Sequence, residues 1–247
     1  MYAIRKRGKF LLYLFPKKLF LYKSLNHVKA LERREKMHEK VLSVKEMREA
    51  DRYTIENYTG SKELMYRAGK AVFDELYKNV RNVAIVCGSG NNAGDGYVLA
   101  GLLKEHGIDC KLFLIEDKFS EDGRYYFDKC KEKGVEYEFI GEKSRYTDFD
   151  CIVDCIYGTG FRGKVKDEIR LIMERINSSK AYKVSVDINS GMNGDSGEAD
   201  ICIKSDLTIS IGYLKHGLLS ENAARNIGKL INVDIGIILP PESKDAL

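Results

Sequence analysis

The sequence predicts an α/β protein: a Rossmann-like three-layer α/β/α sandwich around a mostly parallel, doubly wound sheet, with two helices ahead of the first strand. Three observations predict it. Short apolar runs alternate with stretches of helical length, a Gly-rich turn that opens a helix follows the first apolar run, and two amphipathic helical stretches precede it. At 247 residues, 44% of them hydrophobic, the chain can bury a full core as one domain, read here as residues 37–247.

Ser43-Val44-Lys45-Glu46 has the capping-box spacing, so a helix starts at Ser43 and runs through Met47, Ala50 and Ile55 until Tyr58-Thr59-Gly60 stops it. A second helix begins near Ser61 and places Leu64, Ala68, Val72 and Leu76 on one face. The alternation then gives strand 82–88, helix 94–106, strand 110–115, helix 119–133, a short strand 135–140, strand 151–156, helix 166–177, and strands 183–188, 207–212 and 229–235. Pro240-Pro241 follows the last strand directly and ends the domain.

The formal net charge of +4 is unevenly placed. Residues 1–36 hold 11 Lys and Arg against 2 acids, while the remainder holds 30 against 35, a net of −5. A mildly acidic body excludes a broad basic surface and with it a nucleic-acid partner. In the leader, the apolar run Phe10 to Phe15 is too short to cross a bilayer and is broken by Pro16, Lys17 and Lys18, so no transmembrane segment is expected. The leader reads as a poorly ordered arm or as sequence upstream of a start at Met37, with a membrane-surface helix as the alternative. Six cysteines (87, 110, 130, 151, 155 and 202) show no CxxC spacing; they read as packing residues in a reducing, cytoplasmic setting.

Ligands of open α/β sheets bind beyond the carboxyl ends of the strands. Three polar clusters fall there: Gly90-Asn91-Asn92-Ala93-Gly94-Asp95-Gly96 after the first strand, Asp154 with Gly158-Thr159-Gly160-Phe161-Arg162-Gly163-Lys164 around the fourth, and Asp187, Asn189, Ser190 and Gly191 after the fifth. Singly, each also reads as a tight turn, a helix cap or an Asx turn. Together they offer backbone N–H groups, a helix N-terminus and carboxylate and amide oxygens on one rim, a combination suited to a diphosphate with a cation. Gly88-Ser89-Gly90-Asn91-Asn92-Ala93 also matches the G-x-G-x-x-G/A fingerprint, with Glu116 ending the next strand, which leaves an NAD-dependent oxidoreductase open. Two asparagines followed by Gly94-Asp95-Gly96 overfill such a turn and point to side chains that meet the ligand directly.

CGSGNNAGDGYVLAGLL, VDCIYGTGFRGKV and VSVDINSGMNGDSG, in that order, resemble the NAD(P)H-hydrate epimerase family of the YjeF N-terminal type, and the likeness runs from VLSVKEMREAD to INVDIGI. The resemblance implies an isomerase that interconverts the R and S forms of hydrated NADH and NADPH (NADHX and NADPHX). It implies that Asn91, Asn92, Ala93, Gly94 and Asp95 contact the hydrate, that Gly158, Thr159, Gly160, Phe161, Arg162, Gly163 and Lys164 bind its phosphates, and that Asp187 faces the reacting ring. Asn92, Asp154 and Ser190 would hold one potassium ion (K+) per subunit; their oxygen donors suit a hard cation. A separate ADP- or ATP-dependent dehydratase would act on the product, and relatives suggest a homodimer. Ala93 stands where the family usually has glycine and Asn189 where it has proline, and the arginine usual near Gly101 is missing. The first change is expected to shift the turn, the second to loosen the cation site. Asp187 is the choice for proton shuttle, with Lys215 steadying charge and His216 either titrating near neutrality or lying on the surface. A non-catalytic binding module on the same fold is the alternative.

Overall fold

The computed structural model describes residues 40–241 and, in the leader, only the backbone of Arg5–Lys6 and Lys9–Phe10, which form a two-residue antiparallel ladder. Residues 1–39 and 40–247 are separate units, and the expectations placed on the leader otherwise lie outside the described residues.

The capping box closes as its spacing predicts. Glu46 N donates to Ser43 Oγ at 3.2 Å and Ser43 N donates to Glu46 Oε2 at 2.8 Å, opening helix α1, Val44–Asn57. Two further bonds pin this helix to the rest of the unit: Val44 N donates to Asp195 Oδ1 at 2.7 Å, and Ile238 N donates to Thr54 Oγ1 at 2.8 Å. Helix α2, Ser61–Leu76, buries Leu64, Ala68, Val72 and Leu76 along one face.

Seven strands then form one parallel sheet: β1 Asn82–Cys87, β2 Asp109–Leu114, β3 Glu136–Phe139, β4 Cys151–Cys155, β5 Tyr182–Val186, β6 Leu207–Ile211 and β7 Lys229–Val233. Their spatial order is β7-β6-β5-β4-β1-β2-β3, and every pairing is parallel. The sheet reverses winding between β1 and β4, the position where an open α/β sheet parts its loops into a crevice. Helices α3 (Asn91–Glu105), α4 (Glu121–Glu132) and α5 (Asp167–Ser178) complete the layers. Alternation along β1 assigns the faces: Ala84 and Val86 share a core with Ile169, Met173 and Ile176 of α5, while Cys87 points to α3, where Gly96 lies against it and Cys155. Covered on both faces, β1 and β4 are apolar after Asn82 at the start of β1, apart from the buried Asp154.

Helix α3 begins at Asn91, three residues before the expected start, so Asn91, Asn92 and Asp95 project from its first turns and do not sit inside a loop. Its glycines serve close packing. A Cβ on Gly94 would come within 2.3 Å of Met65 Sδ, and one on Gly96 within 2.9 Å of Cys155 Sγ. Ala93, inside this helix, does not have a positive φ, so its methyl does not disturb the turn as expected; it is buried. One small element escaped the sequence reading. Val41–Leu42 pairs in parallel with Leu214–Lys215, which ties the segment ahead of α1 to the one that carries Lys215.

Candidate active site

A cavity of about 640 Å³ opens at the switch point, between the C-terminal ends of β1, β4 and β5 and the helices α1 and α2. Among the predicted residues, Asn91, Asn92, Asp95, Gly158, Thr159, Gly160, Phe161 and Asp187 line it. Ala93 and Gly94 are buried in α3, behind the lining. Arg162, Gly163 and Lys164 also fall outside it; Arg162 donates to the carbonyls of Thr159 (3.2 Å) and Phe161 (2.9 Å) and pairs with Asp195. Glu116, the acid that the dinucleotide fingerprint would use, is not in the lining either.

Asp187 is the described non-glycine residue with positive φ, at 68°. Few residues other than glycine tolerate that conformation, and Asp and Asn are among them. It turns the carboxylate away from the strand direction, so that Oδ1 accepts from Lys215 Nζ at 2.5 Å and Oδ2 accepts from Thr159 N at 3.3 Å. Lys215 is fully buried, and its other acceptors are Ile211 O at 2.7 Å and Ser210 Oγ at 3.3 Å. All three ammonium donors are thereby used, as a buried cation requires. His216 is exposed, so the surface reading applies to it.

Behind the cavity floor, Asp154 is buried and accepts four hydrogen bonds: Ser190 Oγ and Ile156 N at Oδ1, Ser190 N and Ser185 Oγ at Oδ2. Burial raises its carboxyl above the ordinary aspartate range, and these donors oppose the rise. Asn92 connects cavity to floor. Its Nδ2 donates to Tyr157 O at 3.0 Å, the carbonyl that Ser190 Oγ also reaches at 3.2 Å, while its Oδ1 is buried with no partner among the described residues. Asn189 does not loosen this region. Its buried amide donates to Ile203 O, Ser205 Oγ and Asn226 O and accepts from Thr208 Oγ1, cross-linking the loop in place of a proline's rigidity.

Sequence reasoning missed the far wall. Met47, Arg48, Asp51 and Ile55 of α1 all line the cavity. The signal was present: Asp51 stands midway between Met47 and Ile55 at i±4, an acid on an otherwise apolar helix face. Arg48 is the one basic side chain in the lining, against Asp51, Asp95, Asp122 and Asp187. Burial, then the Asp187 charge, pushes Asp51 up to about 6, with Lys215 pulling the other way. Burial and the carboxylates of Asp187 and Asp51 push Asp95 well above the ordinary range. Among the described residues no three His, Cys, Asp or Glu side chains converge closely enough to hold a metal ion.

A doubly wound parallel sheet with an acid-lined cavity at its switch point defines a Rossmann-like protein with a small-molecule site. The sequence profile described as YjeF-related protein N-terminus matches residues 61–217, and the chain belongs to that family. It is 36% identical over 194 residues to the "Bifunctional NAD(P)H-hydrate repair enzyme Nnr" of Methanothermobacter thermautotrophicus, which covers 73% of this chain but 37% of that protein. The chain likewise spans 38% of the bifunctional relative from Archaeoglobus fulgidus, at 37% identity over 74% of this chain. With the "NAD(P)H-hydrate epimerase" of Oenococcus oeni it shares 34% identity over 81% of its own length and 98% of that protein. The crystal structure of yeast ynu0 superposes with a TM-score of 0.67 at 21% identity, covering 83% of this chain and 98% of that one, and so shares the fold.

Proposed function

We propose that the chain is an NAD(P)H-hydrate epimerase acting on NADHX and NADPHX, with Asp187 as a proton-transfer residue. The observation that carries the reading is the Asp187 carboxylate, turned into the cavity by a left-handed backbone and held by a buried lysine. The hydrate carries its hydroxyl on the ring carbon next to the ring nitrogen. Inversion there needs the C–O bond to break with a proton supplied to the departing oxygen, leaving a cation that the nitrogen lone pair stabilises. Water then adds to the opposite face and gives up a proton. Atoms and electrons balance without an oxidant or reductant. Asp187 suits the second step, since its carboxylate faces the cavity and is fixed there by Lys215 and Thr159 N. Thr159 N holds the second carboxylate oxygen while Lys215 holds the first.

Potassium belongs to the same proposal. The unpartnered, buried Asn92 Oδ1 fits a hard cation, and Ser190 Oγ and Asp154 supply neighbouring oxygens. Asp154 already accepts four bonds, its usual capacity, so it would ligate directly only when the Ser190 hydroxyl turns away. Bound there, the ion would offset the carboxylate and the substrate's phosphates. We expect potassium to raise the melting temperature of the wild type, and Asn92→Ala, which leaves the Asp154 network intact, to abolish the rise. An unchanged potassium response in the variant removes Asn92 from the site.

The reaction itself is tested by supplying the R hydrate together with an S-specific dehydratase and following NADH. Acceleration over buffer is expected; none at any potassium level overturns the epimerase reading. In this proposal a dehydratase consumes the S form; two relatives carry the name of bifunctional NAD(P)H-hydrate repair enzymes, which fits a second activity acting beside this one. Six unpaired cysteines support a reducing, cytoplasmic setting.

A further inference from the structure

Asp51 is one of three cavity acids, with Asp95 and Asp122, that this mechanism leaves unused. It projects into the cavity from α1, a wall separate from the β5 end that carries Asp187. Its carboxylate accepts no hydrogen bond among the described residues, whereas Asp187 accepts two. The charged groups around it are Arg48 on its own helix, Asp95 of α3, Asp122 at the start of α4, Asp187, and Lys215 behind Asp187. Asp122 is neutralised by Lys62 at 3.8 Å, and Lys215 is committed to Asp187. With Lys215 set against Asp187 from behind, Arg48 alone faces Asp51 and Asp95 in the lining, so the cavity holds more negative charge than is balanced before any diphosphate arrives. Such a cluster keeps protons on the acids without donors, Asp95 and Asp51; Asp95 is pushed well above the ordinary range and stays protonated, while Asp51, on the α1 wall, is the one placed to exchange its proton near neutrality.

We propose that Asp51 is a second proton-transfer residue of the epimerisation, delivering the proton to the departing hydroxyl on the ring face away from Asp187. The proposal rests on the epimerase reading. Inversion needs an acid on one face and a base on the other, and two carboxylates in unlike environments divide those roles. Asp51 gives its proton to the hydroxyl as the C–O bond breaks and water leaves; Asp187 takes the proton of the water that forms the new C–O bond. One proton has passed from Asp51 to Asp187, and exchange with solvent through the cavity mouth resets the pair. In the reverse direction the roles exchange. A group titrating at about 6 is suited to such work, because both its forms are accessible near neutrality.

The test is kcat and kcat/KM for hydrate epimerisation between pH 5 and 9, on the full chain, for wild type, Asp51→Asn and Asp51→Glu, with hydrate affinity measured separately. In the wild type, kcat/KM should fall as pH rises through about 6, as the free enzyme loses the Asp51 proton. Asp51→Asn should lose about tenfold or more in kcat with affinity within a few-fold, and should lose that limb. Asp51→Glu should keep the limb and recover part of the rate, which a merely structural role would not produce. If Asp51→Asn fails to fold, the limb of the Glu variant carries the test: its absence overturns the proposal. An Asn variant with wild-type rate and profile overturns it too, and leaves the epimerase reading standing. A wild type without epimerase activity in the same assay overturns both.

Discussion

Asp187→Asn loses about a hundredfold or more in kcat and keeps its affinity for the hydrate within a few-fold. The substitution is a clean one for this position. Asparagine is among the few residues that accept the left-handed backbone at φ 68°, so the loop has no reason to relax. Its amide oxygen can still accept from Lys215 or Thr159 N, and its volume is unchanged. What disappears is the charge that accepts a proton. Lys215 retains Ile211 O and Ser210 Oγ and stays anchored. Single-turnover rates with bound hydrate, set beside equilibrium binding, separate the two effects. A variant with near-normal kcat and collapsed affinity would make Asp187 a positioning group and move the search for the proton acceptor to Lys215.

Much of this site could be read in the sequence because parallel sheets are legible. Strands buried on both faces appear as unbroken apolar runs, and an acid inside one, Asp154 in CIVDCIY, stands out against them. The topology rule then gathers Asn91, Asn92, Asp154, Gly158 and Asp187 at one edge without knowledge of a single contact. The start of α3 was less legible, since Gly94 and Gly96 look like turn residues and are in fact sites of contact with Met65 and Cys155. The α1 wall was illegible for a different reason. Nothing local says which face of an N-terminal helix will close over a cavity; that is settled by remote anchors, Asp195 at one end and Ile238 at the other. Lys215 was named as a charge partner, but its complete burial was not expected of a lysine.

Lys215→Met should cost about 3–5 kcal/mol of stability at neutral pH, the usual penalty for removing one partner of a buried ion pair. Methionine matches the length of the lysine stem, so packing is largely kept, and the loss is electrostatic. Asp187, with a side chain 17% exposed, is left without its cation while Asp51 and Asp95 share the cavity. The sign with pH follows from the raised acids. Asp51 moves from 3.8 to about 6 on folding, so its ionisation already costs the folded state stability as pH rises above about 4, in full above about 6. Lys215 lowers both Asp51 and Asp95; without it each rises further, and the cost extends to higher pH. The melting-temperature deficit of the variant should therefore be large at pH 7.5 and shrink toward pH 4.5, where Asp51 and Asp95 are protonated. A second substitution distinguishes charge from geometry. Adding Asp187→Asn to Lys215→Met removes the stranded carboxylate, so the double variant should melt above the single Lys215→Met at pH 7.5. A deficit that ignores pH and survives the double substitution would mean that Lys215 matters through its bonds to Ile211 and Ser210, and that the pair with Asp187 is not what holds this cavity together.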